Sequence, residues 1–108
     1  MSGLADRLAG RFIVLDGPDG SGKSTQVERL AERLRAEGAD VLCVRDPGGT
    51  TTGERIREIL LDRNGGEISP ACEMLLFMAS RAQLVAEKVR PAIEAGRTVL
   101  CDRFISAT

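Results

Sequence analysis

Residues 17–25 read Gly17-Pro18-Asp19-Gly20-Ser21-Gly22-Lys23-Ser24-Thr25. Gly17, Gly22, Lys23 and Ser24 satisfy the spacing G-x-x-x-x-G-K-[ST]. An apolar run, Phe12-Ile13-Val14-Leu15, precedes the stretch and reads as a buried strand. After it, Val27, Leu30, Ala31 and Leu34 recur at i, i+3, i+4 and i+7, the spacing of an amphipathic helix. A strand, a glycine-rich turn and a helix in that order let successive backbone N–H groups close round phosphate oxygens, with the positive end of the helix behind them. Lys23 adds a point charge for the β- and γ-phosphates, and the Ser24 hydroxyl suits Mg²⁺. The chain has 12 glycines, 12 serines plus threonines and 2 lysines among 108 residues. At that composition the four fixed positions meet by chance in roughly a few such chains per thousand. The plain alternative is an ordinary glycine-rich turn. The dinucleotide fingerprint G-x-G-x-x-G fails, because the order here is Gly17-x-x-Gly20-x-Gly22. All nine residues are therefore candidates for binding a triphosphate. The pattern does not say where the terminal phosphate goes.

Further along, Gly38 ends the helix, and Asp40 to Val44 reads as a second strand. Thr51 as N-cap with Glu54 at N3 makes a capping box for a short helix carrying Ile56, Ile59 and Leu60. Residues 63–66 read as a loop. Ser69 and Pro70 open a long helix as N-cap and N1. Its apolar stripe is Leu75, Met78, Ala79, Ala82, Val85, Ala86 and Val89. Pro91 is expected to kink or split it, and Gly96 closes it. Thr98 to Cys101 is a third strand, ending at Asp102-Arg103. Strands alternating with helices predict an α/β fold with a parallel sheet and right-handed crossovers. Residues 1–108 read as one domain. Open sheets of this kind usually have more than three strands, so the chain reads as truncated after the third strand or as half of a larger domain.

Composition narrows the classes. The net charge of −1 gives no overall attraction to nucleic acid or to an anionic membrane. No apolar run is long enough to span a bilayer. The opening MSGLADRLAG has an early Asp6 and no apolar h-region, so it does not read as a signal peptide. Cys43, Cys72 and Cys101 form no C-x-x-C pair and there is no histidine, which argues against a zinc site. Cys43 and Cys101 lie in apolar runs and are expected to be buried, reduced thiols of a cytosolic protein.

In a sheet of this class the ligand sits at the carboxyl ends of the strands. The first strand leads into the loop containing Asp19. The second ends in Arg45-Asp46-Pro47-Gly48-Gly49-Thr50, the third in Asp102-Arg103. Cations for phosphate oxygens and a carboxylate for the metal shell are what phosphoryl transfer requires. Taken singly, Arg45 or Arg103 reads as a surface ion pair; their joint placement at strand ends favours the functional reading. On the long helix Phe77 and Arg81 are four apart and share a face. An aromatic face beside a forked donor suits a nucleobase, with core packing of Phe77 as the alternative.

Arg45-x-Pro-Gly-Gly-Thr, Leu75-Leu76-Phe77-x-x-x-Arg81 and Asp102-Arg103-Phe104, together behind the phosphate loop, resemble the thymidylate kinases. The resemblance runs from about Arg11 to Thr108 and covers the N-terminal half of that family. It implies a P-loop nucleoside monophosphate kinase-like parallel sheet flanked by helices, the lid and C-terminal strands being absent. It implies transfer of the γ-phosphoryl group of ATP to dTMP with Mg²⁺, in a cytoplasmic homodimer with no nucleic-acid or membrane partner. By the same resemblance Lys23 and Ser24 hold ATP phosphates and Mg²⁺, and Asp19 approaches the acceptor sugar. Arg45 and Arg103 bind the acceptor phosphate and the transferring group. Phe77 stacks on thymine, Arg81 reaches the base edge, and Asp102 acts on the metal shell or orients the arginines. Thr108 falls near the base pocket. Two departures stand out. Gly20 occupies the place where some members carry an arginine, so this chain resembles those that supply it from a lid. Asp46 stands where many relatives have glutamate. Two rival readings are a kinase for another nucleoside monophosphate and a non-catalytic nucleotide-binding module.

Overall fold

The computed structural model describes residues 3–17, 23–62 and 65–104. Three parallel strands, β1 (Phe12–Gly17), β2 (Val41–Asp46) and β3 (Thr98–Phe104), form one sheet in the order β1-β3-β2. The helices α1 (Leu4–Leu8), α2 (Lys23–Ala36), α3 (Thr51–Leu61), α4 (Pro70–Leu84) and α5 (Arg90–Glu94) connect or precede them, with a π-helical turn at Val85–Val89 between α4 and α5. The last strand in sequence lies in the middle, so both crossovers pass through helices, as parallel pairing demands.

The sheet is buried on both faces. On one side Val27, Ala31 and Leu34 of α2 and Ala5 of α1 pack on Val41 and Leu100. On the other, Leu84, Val89 and Ala92 pack on Val44, Val99 and Cys101. The α2 face is the one the heptad-like spacing predicts. The helix α1 has no counterpart in the sequence pattern; it is held by Ala5, and its first turn is tied to the residue just past α2 by the Ala5 N–H donating to Glu37 Oε1 at 3.1 Å.

Two local expectations are corrected, and the direction of the α4 stripe is decided. The N-cap of α3 is Thr50, whose hydroxyl accepts from Gly53 N–H at 2.8 Å, not Thr51. Glu54 is thereby released from a capping role. In α4 the stripe Leu75, Met78, Ala79 and Ala82 faces outward, with Leu75 62% and Met78 55% exposed. The inward side instead carries Ser80 and Leu84, with Phe77 half-buried. Polar anchoring sets this rotation: the buried Ser80 hydroxyl accepts from Gly48 N–H at 2.9 Å, and that backbone donor has to be satisfied. The π turn then aligns Leu84 with Val89, five residues apart and both buried. Proline 91 follows at the start of α5, where its missing N–H is tolerated. The second correction concerns Cys43, which is exposed. It sits on the outer strand β2, on the α2 side, where helix cover does not extend to it.

Candidate functional site

The register arranges the charged strand ends in two rows. Leu15, Asp102 and Arg45 form one row across the sheet, and Asp16, Arg103 and Asp46 form the next. Successive strand residues face opposite sides. Asp102 and Arg45 therefore share the α2 side with Leu15, and Arg103 shares the α4 side with Asp16 and Asp46. Two cavities follow this division. A groove of about 860 Å³ is lined by Arg45, Thr50, Glu54, Arg55 and Asp102. A small cavity of about 90 Å³ is lined by Asp46, Arg81, Arg103, Cys101 and Leu84.

Each of the three candidate arginines faces a carboxylate. Arg45 donates from Nε and Nη2 to Glu54 Oε1 at 3.0 and 2.6 Å. Arg81 Nε donates to Asp46 Oδ2 at 2.7 Å. Arg103 forms a two-bond fork on Asp16, Nε to Oδ1 and Nη2 to Oδ2, the latter at 2.8 Å. The hydrogen bond to Asp16 raises the Arg103 guanidinium above its ordinary value. The pairs differ in burial. Arg45 and Glu54 are 50% and 38% exposed, so this solvated pair contributes little and an anionic oxygen can replace Glu54 at small cost. Asp46 is 4% exposed, and its bond to Arg81 is a fixed element of the fold.

The turn after β2 fixes the height of Arg45. Its Asp46–Pro47 peptide is cis, and Gly48 and Gly49 have φ of 121° and 82°, a region that favours glycine. Ser80 holds it from α4, Arg57 Nη1 donates to Pro47 O at 3.1 Å from α3, and Thr50 caps the next helix.

Of the phosphate-loop residues, Gly17 ends β1, Lys23 and Ser24 open α2, and Thr25 is exposed. No acidic residue lies in the first turn of α2, which leaves the helix dipole free to attract an anion. Pro18, Asp19, Gly20, Ser21, Gly22 and Thr108 lie outside the described residues. Three partners were missed in the sequence: Asp16, Glu54 and Ser80. Asp16 was legible as a charged residue at the end of an apolar strand. Glu54 reads in the sequence as part of a cap, and Ser80 has no signal in the helix pattern.

Cys101 lies directly beneath this edge. Burial, with the nearby Asp46 charge adding, pushes its thiol up to about 12. The fold therefore holds the proton more tightly than the unfolded chain. The related stability is intact below about pH 9 and is lost as pH rises towards 12. A maleimide titration at pH 8 is expected to label Cys43 and Cys72 quickly and Cys101 only on unfolding. Three equally fast thiols would contradict the burial.

The family model described as thymidylate kinase matches residues 15–108. A thymidylate kinase of Exiguobacterium sp. is 54% identical over 101 residues, covering 94% of this chain and 48% of the relative. One from Deinococcus radiodurans is 56% identical over 99 residues, covering 92% and 48%. The crystal structure of thymidylate kinase from Ehrlichia chaffeensis superposes with a TM-score of 0.79 at 34% identity, covering 89% of this chain and 52% of that one. The chain thus spans about half the length of the relatives it matches.

Proposed function

This chain belongs to the thymidylate kinase family, and from that membership we propose that the protein transfers the γ-phosphoryl group of ATP to dTMP, giving dTDP and ADP. The observation that carries the reading is the common edge. The family match spans the start of α2, the Arg45 turn, the Phe77/Arg81 pair and Asp102-Arg103, and all of these but the helix pair lie at one end of the sheet.

The residues fit a magnesium nucleotide. Ser24 and Asp102 are hard oxygen donors, and the anion-seeking end of α2 carries no carboxylate. Ser24 and Asp102 would hold Mg²⁺, which would supply positive charge to offset that of the phosphates. Lys23, Ser24 and the amides of residues 17–25 would hold the ATP phosphates. Arg45, on exchanging Glu54 for an anionic oxygen, would hold the acceptor phosphate, and Arg103 would neutralise the transferring group. Asp102, in the row of Arg45, would orient that side. Phe77 would stack on the thymine and Arg81 would meet its edge. No base is required, because the nucleophile is already an anionic phosphate oxygen.

The protein is read as cytoplasmic and dimeric. No helix among the described residues is long and apolar enough to cross a membrane. A second copy would cover the outward face of α3 and α4, where Ile59, Leu61, Met74, Leu75 and Met78 are exposed.

Acceptor-dependent ADP release on the protein expressed from its full reading frame tests the activity, with dTMP, dUMP, UMP, CMP, AMP and GMP offered. A signal selective for dTMP is expected. A preference for another acceptor would leave the phosphate loop and remove the thymidylate assignment. ATP binding with silence towards every acceptor would favour a non-catalytic module.

A further inference from the structure

Asp46 combines three features that no role assigned so far uses. Its residue is 3% exposed. Its Oδ2 accepts from Arg81 Nε. Its Oδ1 is buried without a hydrogen-bond partner among the described residues, beside the 90 Å³ cavity that Arg81 and Arg103 also line. A carboxylate this deep is costly unless cations and donors surround it. Arg103 lies directly opposite Asp46 in the register and lines the same small cavity. The buried carboxylate thus stands between two of the candidate substrate arginines.

We propose that Asp46 is a positioning residue for acceptor recognition, acting through Arg81. The bond to Nε fixes the plane of the guanidinium. Among the described residues the terminal nitrogens Nη1 and Nη2 make no other hydrogen bond, and the side chain is 46% exposed. Four N–H donors are thereby held ready for the acceptor in one orientation, with less rotamer freedom to lose on binding. The carboxylate charge, beside the small cavity that Arg81 and Arg103 also line, holds Arg81 in place and balances Arg103 in the same row. The short Asp46 side chain keeps this pair close to β2. The proposal rests on the dTMP reading above.

The test is steady-state kinetics on the protein from its full reading frame with Asp46→Asn, Asp46→Glu, Arg81→Ala and the double variant Asp46→Asn/Arg81→Ala. Asp46→Asn is expected to raise the KM for dTMP about tenfold to hundredfold, the range for losing one charge-assisted hydrogen bond. The KM for ATP should not move, a split that a general loss of folding would not produce. Asp46→Glu, which keeps the carboxylate, is expected to recover most of the affinity. In the Arg81→Ala background the Asn change should have little further effect, because its route is gone. If Asp46→Asn is insoluble, Asp46→Ser gives the same comparison. An unchanged KM for dTMP, an equal rise for ATP, or full additivity with Arg81→Ala overturns the proposal while leaving the kinase reading intact. A wild-type protein silent with dTMP removes both, and the unsubstituted control separates that case.

Discussion

Lys23→Ala is expected to reduce dTMP-dependent ADP release by about 10²–10³-fold, the scale for removing one preorganised charge from a transition state, while the melting temperature barely changes. The reasoning joins sequence to fold. Lys23 is the first residue of α2, and the G-x-x-x-x-G-K-[ST] spacing assigns its charge to the β- and γ-phosphates. The hydrophobic cluster on the α2 side begins further along the helix, at Val27. Thermal unfolding and turnover measured on one preparation check both halves. Wild-type turnover in the variant would remove the phosphate-loop assignment.

Gly49→Ala is expected to damage the fold severely, lowering stability by about 2–4 kcal/mol and the melting temperature by roughly 10 °C or more. Gly49 has φ +82°, where an L side chain is strained, and an added Cβ would lie 2.7 Å from Leu84 Cδ1 and 3.1 Å from Arg45 O. Leu84 is 1% exposed and packed in the core on the α4 side, so it has no room to withdraw. The clash is transmitted to Arg45 through its own carbonyl. Loss of acceptor affinity should therefore accompany the loss of stability. Calorimetry decides the first point, and a melting temperature within about 2 °C of the parent would mean that the turn relaxes freely.

Much of the architecture is written in short-range patterns. The apolar run at 12–15, the 3.6-residue spacing from Val27 to Leu34 and the Ser69-Pro70 start each depend on neighbours a few residues apart, and each is present. The Arg45, Phe77, Arg81 and Asp102-Arg103 motifs were visible for the same reason. Cys43 is exposed rather than buried, and the outward direction of the α4 stripe was open in the sequence, because hydrophobicity along one helix or strand does not say which side another element will cover.

The sequence by itself determined the three strands and the main helices between them, the parallel sheet that their order requires and the family to which the chain belongs; α1 and the π turn it did not show. The tertiary structure alone decided the strand order β1-β3-β2, and with it which charges meet. Asp16 pairs with Arg103 across 87 residues, and Asp46 with Arg81 across 35. It also divided Arg45 from Arg103 by sheet face and turned Ser80 inward to hold Gly48. The physical reason is that pairing over such separations has no local signal. It is set by strand register, by the alternation of side chains across a sheet, and by the need of each buried donor and charge to find a partner.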